Sequence, residues 1–171
     1  MPVESEIFRD VLTNFPSGVA IVTAFDRDRK PHGLTVSAFC AVSMDPPLVL
    51  VCIDRASNTL PAMQSAGAFT VNLLAAGRDE LALRFATKGD DKFDDLNWEN
   101  PSLAQAGPVL VRDSVAYAVC TSHSEFEAGD HLIVVGLVEA AASDHEAAPL
   151  VYARRQFGAW DPSEVTPPET G

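Results

Sequence analysis

Residues 33–59, GLTVSAFCAVSMDPPLVLVCIDRASNT, place two apolar runs on either side of a Pro-Pro pair. Proline gives a β-ladder no N–H, so Pro46 and Pro47 belong at a turn, and the flanking runs predict antiparallel strands over 35–44 and 48–53. Hydroxyls frame these strands. Thr35 and Ser37 alternate with Val36 and Ala38, which at the strand period of two predicts both hydroxyls on one face. Asp54, Ser57, Asn58 and Thr59 follow the second strand where it hands over to a short helix, and N–H groups at a helix start attract phosphate. An ordinary N-cap accounts equally well for an isolated Ser-Asn-Thr. Taken together, the two clusters describe a cradle for a flat, phosphate-bearing ligand.

The rest of the chain alternates short strands with a few helices. Ile7, Phe8, Val11 and Leu12 have helical spacing over 5–14, closed by Pro16 and Gly18. A strand reads over 19–25, and the charged, Pro- and Gly-containing stretch 26–33 is its hairpin turn. Helices are predicted over 58–66, ended by Gly67, and over 77–86, where Leu81, Leu83 and Phe85 sit among charges. Further strands read over 68–74, 114–127, 131–142 and 150–153, the middle two joined by the tight turn 128–130. The polar, acidic stretch 87–101 has no clear period and reads as a loop, either a plain surface excursion or a segment that orders over a ligand. This pattern implies one mainly β domain with short helices over 1–162, a closed or sandwiched β structure, and a frayed tail over 163–171.

Composition narrows the function classes. At 171 residues the chain fits a single core. No apolar run approaches bilayer length, and the start, MPVESEIFRD, has neither a basic nor an apolar leader region, so a soluble, cytoplasmic protein with no membrane partner is expected. Cys40, Cys52 and Cys120 are odd in number, far apart and each within an apolar run, the pattern of buried free thiols. No Cys-x-x-Cys or paired-His motif offers a metal ligand set, so no metal is expected. A formal net charge of −12 argues against nucleic acid, whose binding draws on clustered Lys and Arg. It leaves a nucleotide cofactor open, because a bound mononucleotide sees local donors; Arg55, Arg84, Lys88, Lys92, Arg154 and Arg155 all fall beside the candidate ligand segments.

No Gly-x-Gly-x-x-Gly, nucleophile elbow, Ser-His-Asp set or carboxylate dyad is present. Nucleotide binding therefore needs a geometry other than the dinucleotide fold. Five segments carry a resemblance in order along the chain: GLTVSA at 33–38, DPP at 45–47, VCIDR at 51–55, GDH at 129–131 and LVYARRQF at 150–157. From about Phe8 to Trp160 the chain resembles the flavin reductases, NAD(P)H-dependent enzymes on the FMN-binding split β-barrel, a Greek-key-like fold. It departs from the family pattern at Val36, where Ala is frequent, and at Arg155, where Gly is common.

The resemblance implies an NAD(P)H:flavin oxidoreductase, a homodimer that reduces FMN or FAD with NADH or NADPH and supplies a flavin-dependent monooxygenase. Carried over by position, Thr35, Val36, Ser37 and Ala38 border the flavin ring, with Cys52 and Asp54 beside them. Ser57, Asn58 and Thr59 take the phosphate, and Phe85 and Lys88 close over it, although core packing is the commoner fate of a lone helical Phe. His131 lies near the nicotinamide as the catalytic candidate, and Phe157, with Tyr152, adds aromatic surface; the alternative for His131 is simple exposure at a turn. His32, His123 and His145 have no comparable context. Hydride transfer needs little acid-base help, which accounts for the missing catalytic dyads. A non-catalytic, FMN-holding electron-transfer protein on the same barrel is the alternative. Arg84, Arg154 and Arg155 are equal candidates for the 2′-phosphate pocket that would favour NADPH over NADH.

Overall fold

The computed structural model describes residues 1–161 and Ser163. In chain order the elements are α1 (Ser5–Thr13), β1 (Ser17–Gly18), β2 (Ala20–Phe25), β3 (Pro31–Val36), β4 (Phe39–Met44), β5 (Pro47–Asp54), α2 (Thr59–Ala66), β6 (Ala68–Leu74) and α3 (Asp79–Ala86). A single 3₁₀ turn (Val111–Asp113), β7 (Ser114–Ala128), β8 (His131–Ser143), β9 (Leu150–Ala153) and β10 (Gln156–Ala159) complete it. Beyond Ser163 the expected tail lies outside the described residues.

Seven strands form one antiparallel sheet in the order β3-β2-β6-β7-β8-β5-β4, and β1-β9-β10 form a small second sheet. The two edge strands of the large sheet, β3 and β4, are consecutive in the chain, with only Ser37 and Ala38 between them. The three Cα steps from Val36 to Phe39 span no more than about 11 Å, so the sheet must curl until its edges come close together. No ladder joins β3 to β4 among the described residues, and the sheet is open at this seam. The single strand expected over 35–44 is therefore corrected to two strands broken by a bend at Ser37. The break ends the period-two alternation, so Thr35 and Ser37 do not share a strand face.

β2 explains how the core is divided. All six of its residues are buried, because both of its faces are covered, and it accordingly reads AIVTAF with little alternation. Ala20, Val22 and Ala24 point into the curl of the large sheet with Val51, Ile53, Met63, Phe69 and Val134. Val19 and Ile21 meet a second cluster formed by Leu74, Ala82, Phe85, Leu110 and Leu150, with Phe93, Trp98, Tyr152 and Phe157 packed against it. Three buried polar side chains pin the segment 107–110 across the sheet. Thr23 donates to the Pro108 carbonyl at 2.7 Å, Thr70 donates to the Gly107 carbonyl at 2.7 Å, and Asn72 accepts from the Leu110 N–H at 2.8 Å.

Other sequence expectations are refined. β10 continues the 150–153 strand as a hairpin through Arg154 and Arg155, and the helix expected from residue 77 starts at Asp79. The apolar stripe of α1 faces outward: none of its residues is buried, and Phe8 and Val11 are 54% and 64% exposed. Of the three expected buried thiols only Cys120 is buried; Cys40 is exposed and Cys52 half-buried. The stretch 87–101 is irregular as read, yet Lys92 is buried and Phe93, Leu96 and Trp98 pack on the second cluster, so it is a fixed wall and not a plain excursion.

Gly33 is required by packing. A Cβ there would lie 2.7 Å and 2.9 Å from two ring atoms of Phe85, which is fully buried and has nowhere to retreat. Overpacking of this kind costs about 1–3 kcal/mol. Gly33→Ala should lower Tm by about 2–12 °C in a thermal melt, at about 2–4 °C per kcal/mol for a chain of this size.

Candidate functional site

Helix α3 lies against β3 and leaves a cleft of about 300 Å³ between them and the β9–β10 hairpin. Thr35, Val36 and Ser37 form its floor, Leu83 and Ala86 of α3 one side, and Tyr152, Arg155 and Phe157 the other. Tyr152 and Phe157 are direct cross-strand partners whose ring centroids are 4.9 Å apart at 53°, so they present a joined aromatic surface. The walls are mostly apolar, and Ser37 is exposed at the rim. Thr35 is not free to meet a ligand through its proton: its hydroxyl donates to the Ala82 carbonyl of α3 at 2.6 Å.

From the seam a polar line continues along the outer face of β5. Ala38 accepts the Cys52 N–H at 3.1 Å. On β5 the odd positions from Val49 to Ile53 are buried while Cys52 is half-buried and Asp54 exposed, so Cys52 and Asp54 share the outward face. Asp54 pairs directly with His131 of β8, which brings His131 to the same face one strand over. The His131 Nδ1 lies 2.7 Å from the Asp130 carboxylate. A carboxylate only accepts, so Nδ1 carries the proton and Nε2 is left free toward solvent. That hydrogen bond holds the Asp130 carboxyl below its ordinary value of 3.8. A depressed carboxylate contributes its stabilisation above the unfolded value and loses it as pH falls through the lower folded one, so the Asp130 carboxylate is available to accept the Nδ1 proton at neutral pH. Burial raises the Cys52 thiol, which stays protonated and is no nucleophile.

Beyond Asp54 the chain turns into α2. The Asp54 carboxylate accepts the Ala56 N–H at 2.8 Å, and the Ser57 hydroxyl accepts the Thr59 N–H at 3.1 Å, a local cap. Ser57 retains its own proton to donate, and Asn58 is exposed beside it. Thr59 is corrected: it is 1% exposed and turned, with Asn58 and Lys92, onto a hollow of about 20 Å³ that has room for one water and no phosphate. Phe85 is corrected too. It is fully buried, edge-on to Phe93 with centroids 4.9 Å apart, and takes the core role that a helical Phe usually has. Lys88 is exposed on the loop after α3 and lines neither hollow.

The structure thus gathers Thr35, Val36, Ser37 and Phe157 around one cleft and strings Ala38, Cys52, Asp54 and His131 along the adjoining face. Ser57 and Asn58 stand past its end. Sequence reading missed the structural part played by Lys92. Its amine donates to the Gly33 carbonyl at 2.9 Å and to the Phe85 carbonyl at 3.1 Å, tying β3, α3 and the following loop together behind the cleft. Burial lowers its pKa, with the Asp90 charge opposing. The signal available was the DKF triplet at 91–93, one lysine inside an acidic stretch just before an aromatic.

The flavin reductase like domain model matches residues 12–161. The chain belongs to that family. It is 42% identical over 163 residues to a flavin reductase (NADH) of Kitasatospora aureofaciens, covering 95% of this chain and 85% of the relative. A flavin reductase (NADPH) of Lentzea aerocolonigenes is 40% identical over 154 residues, covering 90% and 89%. Among solved structures, an NADH:FAD oxidoreductase of Streptomyces globisporus C-1027, in complex with NAD and FAD fragments, superposes with a TM-score of 0.86. It is 28% identical and covers 96% of this chain and 99% of that one.

The Lys92 tie gives a stability prediction. Lys92→Met keeps the buried stem and removes both hydrogen bonds, leaving two buried carbonyls unpaired at about 1–3 kcal/mol each, offset in part by the burial penalty of the amine. A melt of the variant should show Tm lower by about 4–10 °C; an unchanged Tm would show that the tie is not what fixes the cleft wall.

Proposed function

We propose that the chain takes hydride from NADH or NADPH, passes it to a flavin held against the bend at Ser37 and Ala38, and releases reduced flavin to a partner monooxygenase. The observation that carries this reading is the cleft. A mostly apolar slot with an aromatic pair on one wall opens onto a polar strip ending in the free Nε2 of His131, in a member of the flavin reductase family. The protein is an NAD(P)H:flavin oxidoreductase. The curl of the large sheet onto its seam supports assigning the FMN-binding split barrel.

Bound flavin, FMN or FAD, supplies a two-electron acceptor. The chain's own residues stack, orient and exclude water. Val36, Leu83, Ala86 and Phe157 wall off the slot. Thr35 is spent on α3, so the polar contacts at the ring edge fall to the Ser37 hydroxyl and the backbone of Ser37 and Ala38. Ser57 and Asn58 at the start of α2 take the phosphate. His131, its ring fixed by Asp130, orients the nicotinamide through Nε2. The unpartnered stripe on α1 supports a homodimer, since a helix this amphipathic with no buried residue needs a second surface to cover Ile7, Phe8, Val11 and Leu12.

Steady-state oxidation of NADH and NADPH, with and without added FMN or FAD, tests the activity. Turnover should depend on flavin and follow one nicotinamide more strongly than the other; a protein that holds FMN yet never oxidises either nucleotide would be the electron-transfer alternative instead. His131→Ala should slow flavin reduction in stopped flow by about 10- to 100-fold, since small misplacements of reacting groups are costly. Flavin affinity should stay at the wild-type value, and reduction at the wild-type rate would leave His131 as a surface residue.

A further inference from the structure

The β9–β10 hairpin carries a feature that the hydride chemistry does not require. Its two-residue turn is Arg154-Arg155, with φ of 50° and 63°, so two long side chains occupy consecutive left-handed positions that glycine or asparagine ordinarily takes. The three arginines that the sequence leaves equivalent are now distinct. Arg84 is committed to the carbonyls of Lys92 and Asp94, at 3.4 Å and 3.2 Å. Arg154 is committed to Asn14 Oδ1 at 3.2 Å. Arg155 alone lines the cleft, where it is the single charged residue. Among the described residues its nearest carboxylate is that of Asp10, 3.9 Å away with the two side chains 65% and 79% exposed, a pairing too loose and too wet to hold it.

We propose that Arg155 is a substrate-binding residue of the proposed reductase, on which reading this inference rests: it binds the diphosphate of the nicotinamide dinucleotide at the mouth of the cleft. The register sets which phosphate it meets. Tyr152 and Phe157 pair directly, and the turn lies two residues beyond them, about 7 Å along the strand. With the flavin on the Ser37–Ala38 bend, a nicotinamide laid over it between His131 and the Tyr152–Phe157 pair would have its ribose in the interval and its diphosphate at the turn. The 2′-phosphate of NADPH lies farther out, past the adenosine ribose. A guanidinium suits this task because its planar fork takes phosphate oxygens bidentately, and Arg155 gives up only its loose contact with Asp10 to do so.

Arg155→Gly is the decisive variant, since glycine keeps the left-handed backbone and deletes the fork. It should raise KM for NADH and NADPH alike by about tenfold, with kcat changed far less and Tm no lower than wild type. Arg155→Lys should recover part of the lost affinity, and the rise of the wild-type KM with salt should flatten in the glycine variant. Reduced nicotinamide riboside, which has no phosphate, should give the same KM with both proteins. Calorimetric titration of NAD⁺ reads the same contact without turnover, so the inference is tested even if the proposed activity fails. A KM rise confined to NADPH, a rise confined to the flavin, or no change in KM and NAD⁺ affinity would each overturn it.

Discussion

Everything that shapes the cleft depends on how closely α3 can approach β3. The approach is possible because position 33 has no side chain, which lets the Phe85 ring sit directly on the strand backbone. It is then locked from two sides. Thr35 reaches across to the Ala82 carbonyl, and the Lys92 amine bridges the Gly33 and Phe85 carbonyls. A lysine amine has three protons and no acceptor function, so burying it is tolerable only where carbonyls converge, and here one comes from a strand and one from a helix end. Such a tie defines an angle as well as a distance. The slot between Val36, Leu83 and Phe157 is therefore fixed largely from behind, by the Lys92 tie, and at its floor by the Thr35 bond to Ala82.

The seam at Ser37 and Ala38 has the complementary role. A sheet that ended in two remote edges would leave two rows of unpaired backbone groups to manage. Here the chain crosses from one edge strand to the other in two residues, so the edges meet and the unpaired groups are concentrated at one place. The candidate ligand surface lies there. The Ser37 carbonyl accepts the Phe39 N–H and the Ala38 carbonyl accepts the Cys52 N–H, each at 3.1 Å, so what the missing ladder leaves for a ligand at this corner is chiefly its N–H groups. The apolar cleft and this polar corner adjoin, which suits a ligand with a flat apolar body and a hydrogen-bonding rim.

Much of this is written in local pattern. Turn residues marked the hairpins β2–β3, β4–β5 and β7–β8 but not β9–β10, whose turn is Arg154-Arg155; the strand runs of 68–74 and 131–142 and the ends of α2 are close to where periodicity and Gly67 put them, and the site-forming motifs lie on the seam, the β5–α2 junction and the β9–β10 turn. The misreadings share one cause, which is that a periodic pattern gives the presence of a face and not what covers it. Alternation over residues 35–38 running straight into the apolar stretch 38–42 hid the bend at Ser37, because the side chains on both sides of the break remain strand-like. Phe85 and Thr59 have the residue types of a binding site, yet both are consumed by packing that depends on Gly33 and Lys92, neither close enough in sequence to be linked to them by spacing. The α1 stripe shows the reverse: its period is correct, yet none of its residues is buried among the described residues.

The overall charge sharpens the electrostatic argument for the site. At −12 the protein repels an incoming dinucleotide or flavin phosphate at long range, and at low ionic strength that repulsion slows encounter. Within about 10 Å at 0.1 M salt the distant charges are screened and the nearest groups decide. The cleft's only charged lining residue is a cation, it stands at the mouth, and the backbone around it is held in a conformation that most side chains avoid. The hydride-transfer step itself needs no charge from the protein, since stacking and orientation suffice. Electrostatics in this molecule are therefore assigned to selecting and seating anionic substrates, while the chemistry is left to geometry held by the Gly33, Thr35 and Lys92 contacts.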